Sequence, residues 1–291
     1  MAKIDETLKS SFSLIKNNPK LTVPFVLSHM FNYVLIFSLI SIFAINQQGK
    51  YIIENISNLE IILFFIFGFI LWIIILTYFS CWGFYQNARY TMGYQIKLIH
   101  SAYKSLRYLL KLILVNIVFF FLMAIPLVIS SFLVILIYYF TQSILLTILT
   151  GVLLILITII LSFFILIRII FAQADIFLNT KKKVSVLQYF ENSYKFSKTN
   201  TLSVILLIII IVAINMIGSM FTSAPFSNAI LELFRQIHWI IFLIIGFLFF
   251  MVVSIISGSV SAFNNLLILN FYYDSKDKST AKKKEKDKKS T

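Results

Sequence analysis

The chain reads as an all-α integral membrane protein with six transmembrane helices and three amphipathic interfacial helices on the cytoplasmic side. Three observations predict it. Hydrophobic residues make up 60% of its 291 positions and charged residues only 12%, whereas soluble domains run near half apolar and a quarter charged. Six apolar stretches each match the ~20 residues that a helix needs to cross a bilayer. Finally, 22 of the 25 basic residues fall in alternate polar segments, counting Lys111 with the inner ones. Lys50 and Arg235 are the exceptions among the segments, and Arg168 lies inside an apolar stretch. Basic loops stay cytoplasmic, so both termini are expected inside the cell, in a plasma membrane.

In order, the expected spans are Leu21 to Ile45, Leu59 to Cys81, Lys111 to Tyr139, Ile144 to Ala172, Thr201 to Phe221 and Trp239 to about Ala262. Only Thr141, Gln142 and Ser143 separate the third from the fourth, which forces an antiparallel hairpin. Pro126 interrupts the third, a residue that kinks helices. Tyr138, Tyr139 and Trp239 suit an aromatic belt at the outer interface.

Before three of the spans lies a polar segment with helical periodicity. Ile4, Leu8, Phe12 and Ile15 form the first stripe; Ile99, Ala102, Tyr103, Leu106 and Leu110 the second; Leu187, Phe190 and Tyr194 the third. Such spacing gives one apolar face, and beside a membrane it predicts a helix lying in the interface. Each segment carries an aromatic followed four residues later by a base: Phe12 and Lys16, Tyr103 and Arg107, Tyr194 and Lys198. The first and third agree further, SFSLIKNN from Ser11 against SYKFSKTN from Ser193. A three-unit repeat over 1–81, 96–172 and 184–273 is the expectation, within one membrane domain over 1–273. From 274 to 291 the chain carries eight lysines and four acids with almost no apolar residues. It reads as a disordered cytoplasmic tail.

The charge of +14 suggests nucleic acid in a soluble protein. Here the bases flank spans, so topology accounts for them and no nucleic-acid partner is expected. Cys81 is the single cysteine, which excludes an intrachain disulfide and Cys-rich zinc sites. His29, His100 and His238 belong to different levels of the membrane, so no metal site is expected. No Walker loop, GxGxxG, HExxH or GxSxG occurs, and acids are scarce in the spans. No catalytic residue, enzyme activity or cofactor is expected.

Two candidate sites remain. The six aromatic and basic residues Phe12, Lys16, Tyr103, Arg107, Tyr194 and Lys198 suit an inner-leaflet lipid site. A second set, His29, Asn32, Asn116, Arg168, Asp175, Ser257, Ser261 and Asn264, suits a polar chamber open to the cytoplasm. Charges inside spans are functional candidates, although Arg168 lies near the inner headgroups and snorkels there. Asp175 follows it by seven residues on the same helix. For the other polar residues the plainer role is helix packing, since small polar side chains permit close approach.

The stretch RIIFAQADIFLNTKKKVSVLQYFENSYKFSKTN from Arg168 resembles the membrane domain associated with some glycerophosphoryl diester phosphodiesterases, and related prokaryotic multi-pass families. Those show an arginine in a span, then a Ser-aromatic-x-hydrophobic-x-basic core, here Ser193, Tyr194, Phe196 and Lys198. An aromatic–Asp pair ends their last span, here Tyr272, Tyr273 and Asp274, and LKSSFSLIKNNPKL fits their opening. Gln173 and Ala174 stand where those families often place a proline. The resemblance implies a six-span prokaryotic membrane module; with no soluble phosphodiesterase domain attached, its enzymatic name does not transfer. The leading expectation is a non-enzymatic module that binds anionic lipid headgroups or a membrane-protein partner at the inner leaflet. The alternative is a transporter of a small amphiphile through the polar chamber. An enzyme acting on lipid ranks third.

Overall fold

A computed structural model describes residues 2–48, 58–179, 184–223 and 239–289, with side chains over 4–35, 66–179, 184–220 and 248–276. Lys50, Arg235, His238 and the run Lys181–Lys183 lie outside the described residues. The described chain is helical throughout, without strands. The helices are α1 (Ala2–Asn17), α2 (Val23–Gln48), α3 (Asn58–Thr91), α4 (Leu98–Thr141), α5 (Ile144–Ile169), α6 (Ala172–Leu178), α7 (Val186–Thr199), α8 (Thr201–Ser223) and α9 (Trp239–Lys289), with a 3-10 turn at Pro19–Thr22. Among the described residues, five helical stretches are long and apolar enough to cross a membrane: Ile66–Thr91, Leu98–Thr141, Ile144–Leu178, Thr201–Met220 and Leu248–Lys276. They are consistent with a multi-pass membrane protein. The first expected span coincides with α2, whose side chains from 36 onward are outside the described set.

Local chemistry sets the helix ends. Gly93 takes a left-handed conformation (φ 82°) after α3. Its N–H reaches the Tyr90 carbonyl and the Tyr94 N–H reaches that of Arg89, the pair of bonds that closes a Schellman cap. Gln142 turns the α4–α5 hairpin with a φ of 48°, and the Ser143 hydroxyl caps α5 by accepting from the Leu146 N–H. Ser185 caps α7 through the Gln188 N–H.

The helices depart from the expected segments in three places. The second segment expected on the cytoplasmic side is not a separate helix. Leu98–Thr141 is one helix of 44 residues, about 66 Å at 1.5 Å per residue, because neither Gly nor Pro interrupts its start. The helix of the fourth expected span, α5, ends at Ile169, and a turn at Ile170 and Phe171 precedes the short α6. Asp175 therefore sits in α6, off the helix that carries Arg168. At the C-terminus, where disorder from Asp274 was expected, α9 continues to Lys289; Lys, Glu and Ala all favour helix and no breaker intervenes.

Two compact units are present, one of Leu110–Ile208 and one of Ala2–Leu109 with Ile209–Thr291. In the second, α9 supplies the core, burying Val253, Ala262, Leu266, Leu267, Leu269 and Phe271. Leu21, Tyr90 and Leu266 pack together, with Leu14, Ile15 and Ile96 at the margin. Gly258 lets α9 approach α2: a Cβ there would lie 2.6 Å from the Val26 backbone. In the first unit, α6 is buried almost whole, through Ala172, Ala174, Asp175, Ile176 and Phe177.

Candidate functional site

The faces that α1, α7 and the start of α4 turn inward are not their apolar stripes alone. Each is centred on a serine with no solvent exposure: Ser11, Ser101 and Ser193. Each serine accepts a hydrogen bond from a long helix or from the turn that follows one. Asn270 Nδ2 on α9 donates to Ser11 Oγ at 2.8 Å, and Trp82 Nε1 on α3 donates to Ser101 Oγ at 2.8 Å. Just after α5, the Phe171 N–H donates to Ser193 Oγ at 3.2 Å. Ser193 Oγ also donates to the Arg168 carbonyl at 2.8 Å, so one hydroxyl ties both sides of the α5–α6 turn.

Between α1 and α7 the correspondence extends along the helix. Thr7 and Tyr189, Leu8 and Phe190, Ser11 and Ser193, Leu14 and Phe196 are all buried or half-buried. Asn18 and Asn200 end the two helices alike, donating to the Leu14 carbonyl at 3.3 Å and the Phe196 carbonyl at 3.0 Å. In α4 the serine register pairs Ser101 with Ser11. That is one residue away from the register given by Tyr103 and Phe12.

The outward faces carry the six residues of the first candidate site. Phe12 is 63% exposed, Tyr103 68% and Tyr194 48%; Lys16, Arg107 and Lys198 are exposed as well. Ile99, Leu106, Leu110 and Leu187 add apolar surface beside them. Of the predicted stripes, Ile4 and Phe190 turn inward and the aromatic–base pairs turn outward. The only ion pairs among the described residues are exposed, Lys9–Asp5 and Lys195–Glu191. The hydrogen bond that Lys9 donates to Asp5, then the Asp5 charge, raises the Lys9 pKa above its ordinary value. Several other bases rest on rings instead. Lys20 lies over Tyr90 at 5.3 Å, Arg89 near Tyr85 and Tyr94 at 5.2 and 5.8 Å, and Lys276 over Tyr272 at 5.3 Å. Arg168 meets Phe164 at 5.3 Å and Tyr194 at 5.6 Å. Such contacts hold a cation by the ring quadrupole without neutralising it.

The chamber residues divide between the two units. In the unit with the termini, His29 Nε2 and Ser261 Oγ are 3.1 Å apart, Trp72 Nε1 donates to Asn32 Oδ1 at 3.2 Å, and Asn264 Nδ2 donates to Asn215 Oδ1 at 2.7 Å. Ser257 is half-buried nearby in α9. In the other unit, Gln173 Nε2 donates to Asn116 Oδ1 at 2.7 Å. Arg168 bonds to Thr201 Oγ1 at 3.3 Å and Asp175 accepts from Asn192 Nδ2 at 2.7 Å, so the two charges have different partners.

Sequence reasoning missed a seam of buried amides. Asn87 Nδ2 donates to Asn265 Oδ1 at 3.0 Å, and Gln86 is fully buried beside it in sequence. Gln86 Oε1, Asn87 Oδ1, Asn264 Oδ1, Asn265 Nδ2 and the Tyr90 hydroxyl are buried without a hydrogen-bond partner. The signal was the Gln-Asn pair one turn past the apolar run, which reads as an ordinary cytoplasmic flank. A cleft of about 450 Å³ lies between α4 and α5, lined by Leu127, Ser130, Gly151 and Thr158 among others. The Ser130 and Thr158 hydroxyls bond to each other there, and no ionisable group lines it, so it offers no acid or base. No group of three or more His, Cys, Asp and Glu is placed to hold a metal among the described residues.

Comparison with protein-family models, curated proteins and solved structures found no match to this chain.

Proposed function

We propose that this chain is a six-span, non-enzymatic plasma-membrane protein, with both termini cytoplasmic, that binds anionic lipid or a membrane-protein partner at the inner leaflet, of which lipid is the better supported. One observation carries the reading. The three cytoplasmic helical segments turn serine faces inward and expose an aromatic–base pair outward. In water, exposed Ile99, Tyr103, Leu106 and Leu110 would be costly, since burying such side chains is worth about 1.5–3 kcal/mol each. Against acyl chains and headgroups the same face is favourable, and bases near an anionic surface add about 1 kcal/mol apiece. Phe12, Tyr103 and Tyr194 would enter the interface while Lys16, Arg107 and Lys198 meet phosphate. The charge bias along the chain supports the orientation. The motifs shared with the phosphodiesterase-associated membrane domain support a prokaryotic module of that type.

Native mass spectrometry of the purified protein tests this. Retained anionic phospholipid should fall several-fold when Lys16, Arg107 and Lys198 are neutralised together; unchanged retention would sink the reading. The amide seam favours a second reading, a transporter with a polar path for a small amphiphile. In that case cysteines introduced at Asn32 or Ser257 label from the cytoplasmic side.

A further inference from the structure

Arg168 occupies the last turn of α5, half-buried. Its guanidinium has five donors, and the bond to Thr201 Oγ1 uses one. Among the described residues no carboxylate lies within ion-pair distance of it. The carboxylate seven residues on, Asp175, is engaged by Asn192. Phe164 and Tyr194 hold the guanidinium between ring contacts, yet both rings are about half exposed. The Arg168 carbonyl is fixed by Ser193, so the side chain leaves from a pinned backbone.

The surroundings add a second positive charge. Tyr194 and Lys198 lie one turn apart on α7; Asn200, with φ −124° and ψ 25°, ends that helix, and the next residue, Thr201, donates from Oγ1 back to the Ser197 and Lys198 carbonyls. In sequence Lys198 lies between the two residues of this segment that Arg168 touches, Tyr194 and Thr201, and it is exposed. The guanidinium fork meets the Tyr194 ring, an ammonium follows one turn along α7, and no carboxylate among the described residues lies within ion-pair distance of Arg168 or Lys198. That donor set matches phosphate oxygens, which arginine binds through two parallel bonds.

We propose that Arg168, Lys198 and Tyr194 form a fixed site for the phosphodiester of an anionic phospholipid, one that distinguishes anionic from zwitterionic headgroups. The proposal rests on the inner-leaflet reading and removes Arg168 from the chamber set. Its test is native mass spectrometry of the full chain with an equimolar mixture of phosphatidylglycerol and phosphatidylcholine, and with inorganic phosphate as competitor. The expected result is preferential retention of phosphatidylglycerol. Arg168→Lys keeps the charge but loses the fork, and should lower that retention about tenfold; Lys198→Gln should lower it less. Unchanged circular dichroism and elution volume establish that each variant is folded. Should Arg168→Lys fail to fold, the double variant Tyr194→Leu with Lys198→Gln takes its place and should show the same loss. Wild-type retention in the folded Arg168 and Lys198 variants, with loss on neutralising Lys16 and Arg107, overturns the site and leaves the inner-leaflet reading standing. Retention that survives neutralisation of all these bases overturns both. Displacement of the lipid by millimolar inorganic phosphate overturns the lipid assignment in favour of free phosphate.

Discussion

Ser193 holds two backbone groups at once, accepting from the Phe171 N–H and donating to the Arg168 carbonyl. Ser193→Ala leaves that buried N–H and carbonyl without their partner, which costs about 1–3 kcal/mol. Thermal unfolding in detergent should show a clear fall in midpoint, against little change for the exposed Ser13→Ala. Ser11 and Ser193 were aligned in the sequence, but Ser101 was not, because it falls one residue off the register given by Tyr103 and Phe12. Aromatic and basic residues were legible because their spacing from one another is regular. A helix wheel divides apolar from polar but does not say which side meets protein. In a soluble protein the apolar side goes in. Next to lipid, small polar side chains pack well between helices, and Phe12, Tyr103 and Tyr194 turn outward. Arg168 was recognisable as an unusual charge, yet its partners were not. The turn at Ile170 and Phe171 breaks the helical register that had set Asp175 on its face.

Helix contacts carry their own expectations. At Gly258 an added methyl would meet the Val26 backbone at 2.6 Å, whereas at Gly68 nothing lies within 4 Å. Backbone yields little, and overpacking costs about 1–3 kcal/mol. Gly258→Ala should therefore lower the thermal midpoint markedly while Gly68→Ala leaves it near wild type or raises it slightly, since Ala favours helix. The amide seam joining α3 to α9 makes a coupled prediction. Asn87→Leu alone strands Asn265, and Asn265→Leu alone strands Asn87. Replacing both removes the stranded groups, so the double variant should be more stable than the two single losses added together. A double-mutant cycle that is simply additive would contradict the hydrogen bond between them. Most of the long helices were legible from the apolar runs. Their inner ends were not, because continuation of α4 back to Leu98 depends on the absence of a breaker rather than on any positive signal. The Schellman cap at Gly93 was equally silent, since a lone glycine in a polar flank does not declare its backbone angle.

For the whole molecule, the proposal of an inner-leaflet lipid surface rests on the uneven distribution of 25 bases and on the outward aromatic–base pairs. Serine-centred contacts recur on α9, on α3 and just after α5. Each time a long apolar helix, or the turn that follows it, meets the serine of one of the three segments expected on the cytoplasmic side. On this reading, α1 stands to α9 as the start of α4 stands to α3, and as α7 stands to α5. The sequence repeat suggested units that begin with the cytoplasmic helix; the serine contacts instead join that helix to the span on its other side. The central claim is that the outward faces touch lipid, and immersion depth tests it most directly. Single spin labels would be introduced at Phe12, Tyr103 and Tyr194 in a Cys81→Ser background and reconstituted in vesicles containing phosphatidylglycerol. Relaxation by oxygen and by a water-soluble nickel chelate then reports depth. The account predicts that all three labels favour oxygen and sit at the level of the inner headgroups, with Lys9 on α1 as a water-exposed control. Labels at the three aromatic positions that relax with the nickel chelate as strongly as the control would contradict it.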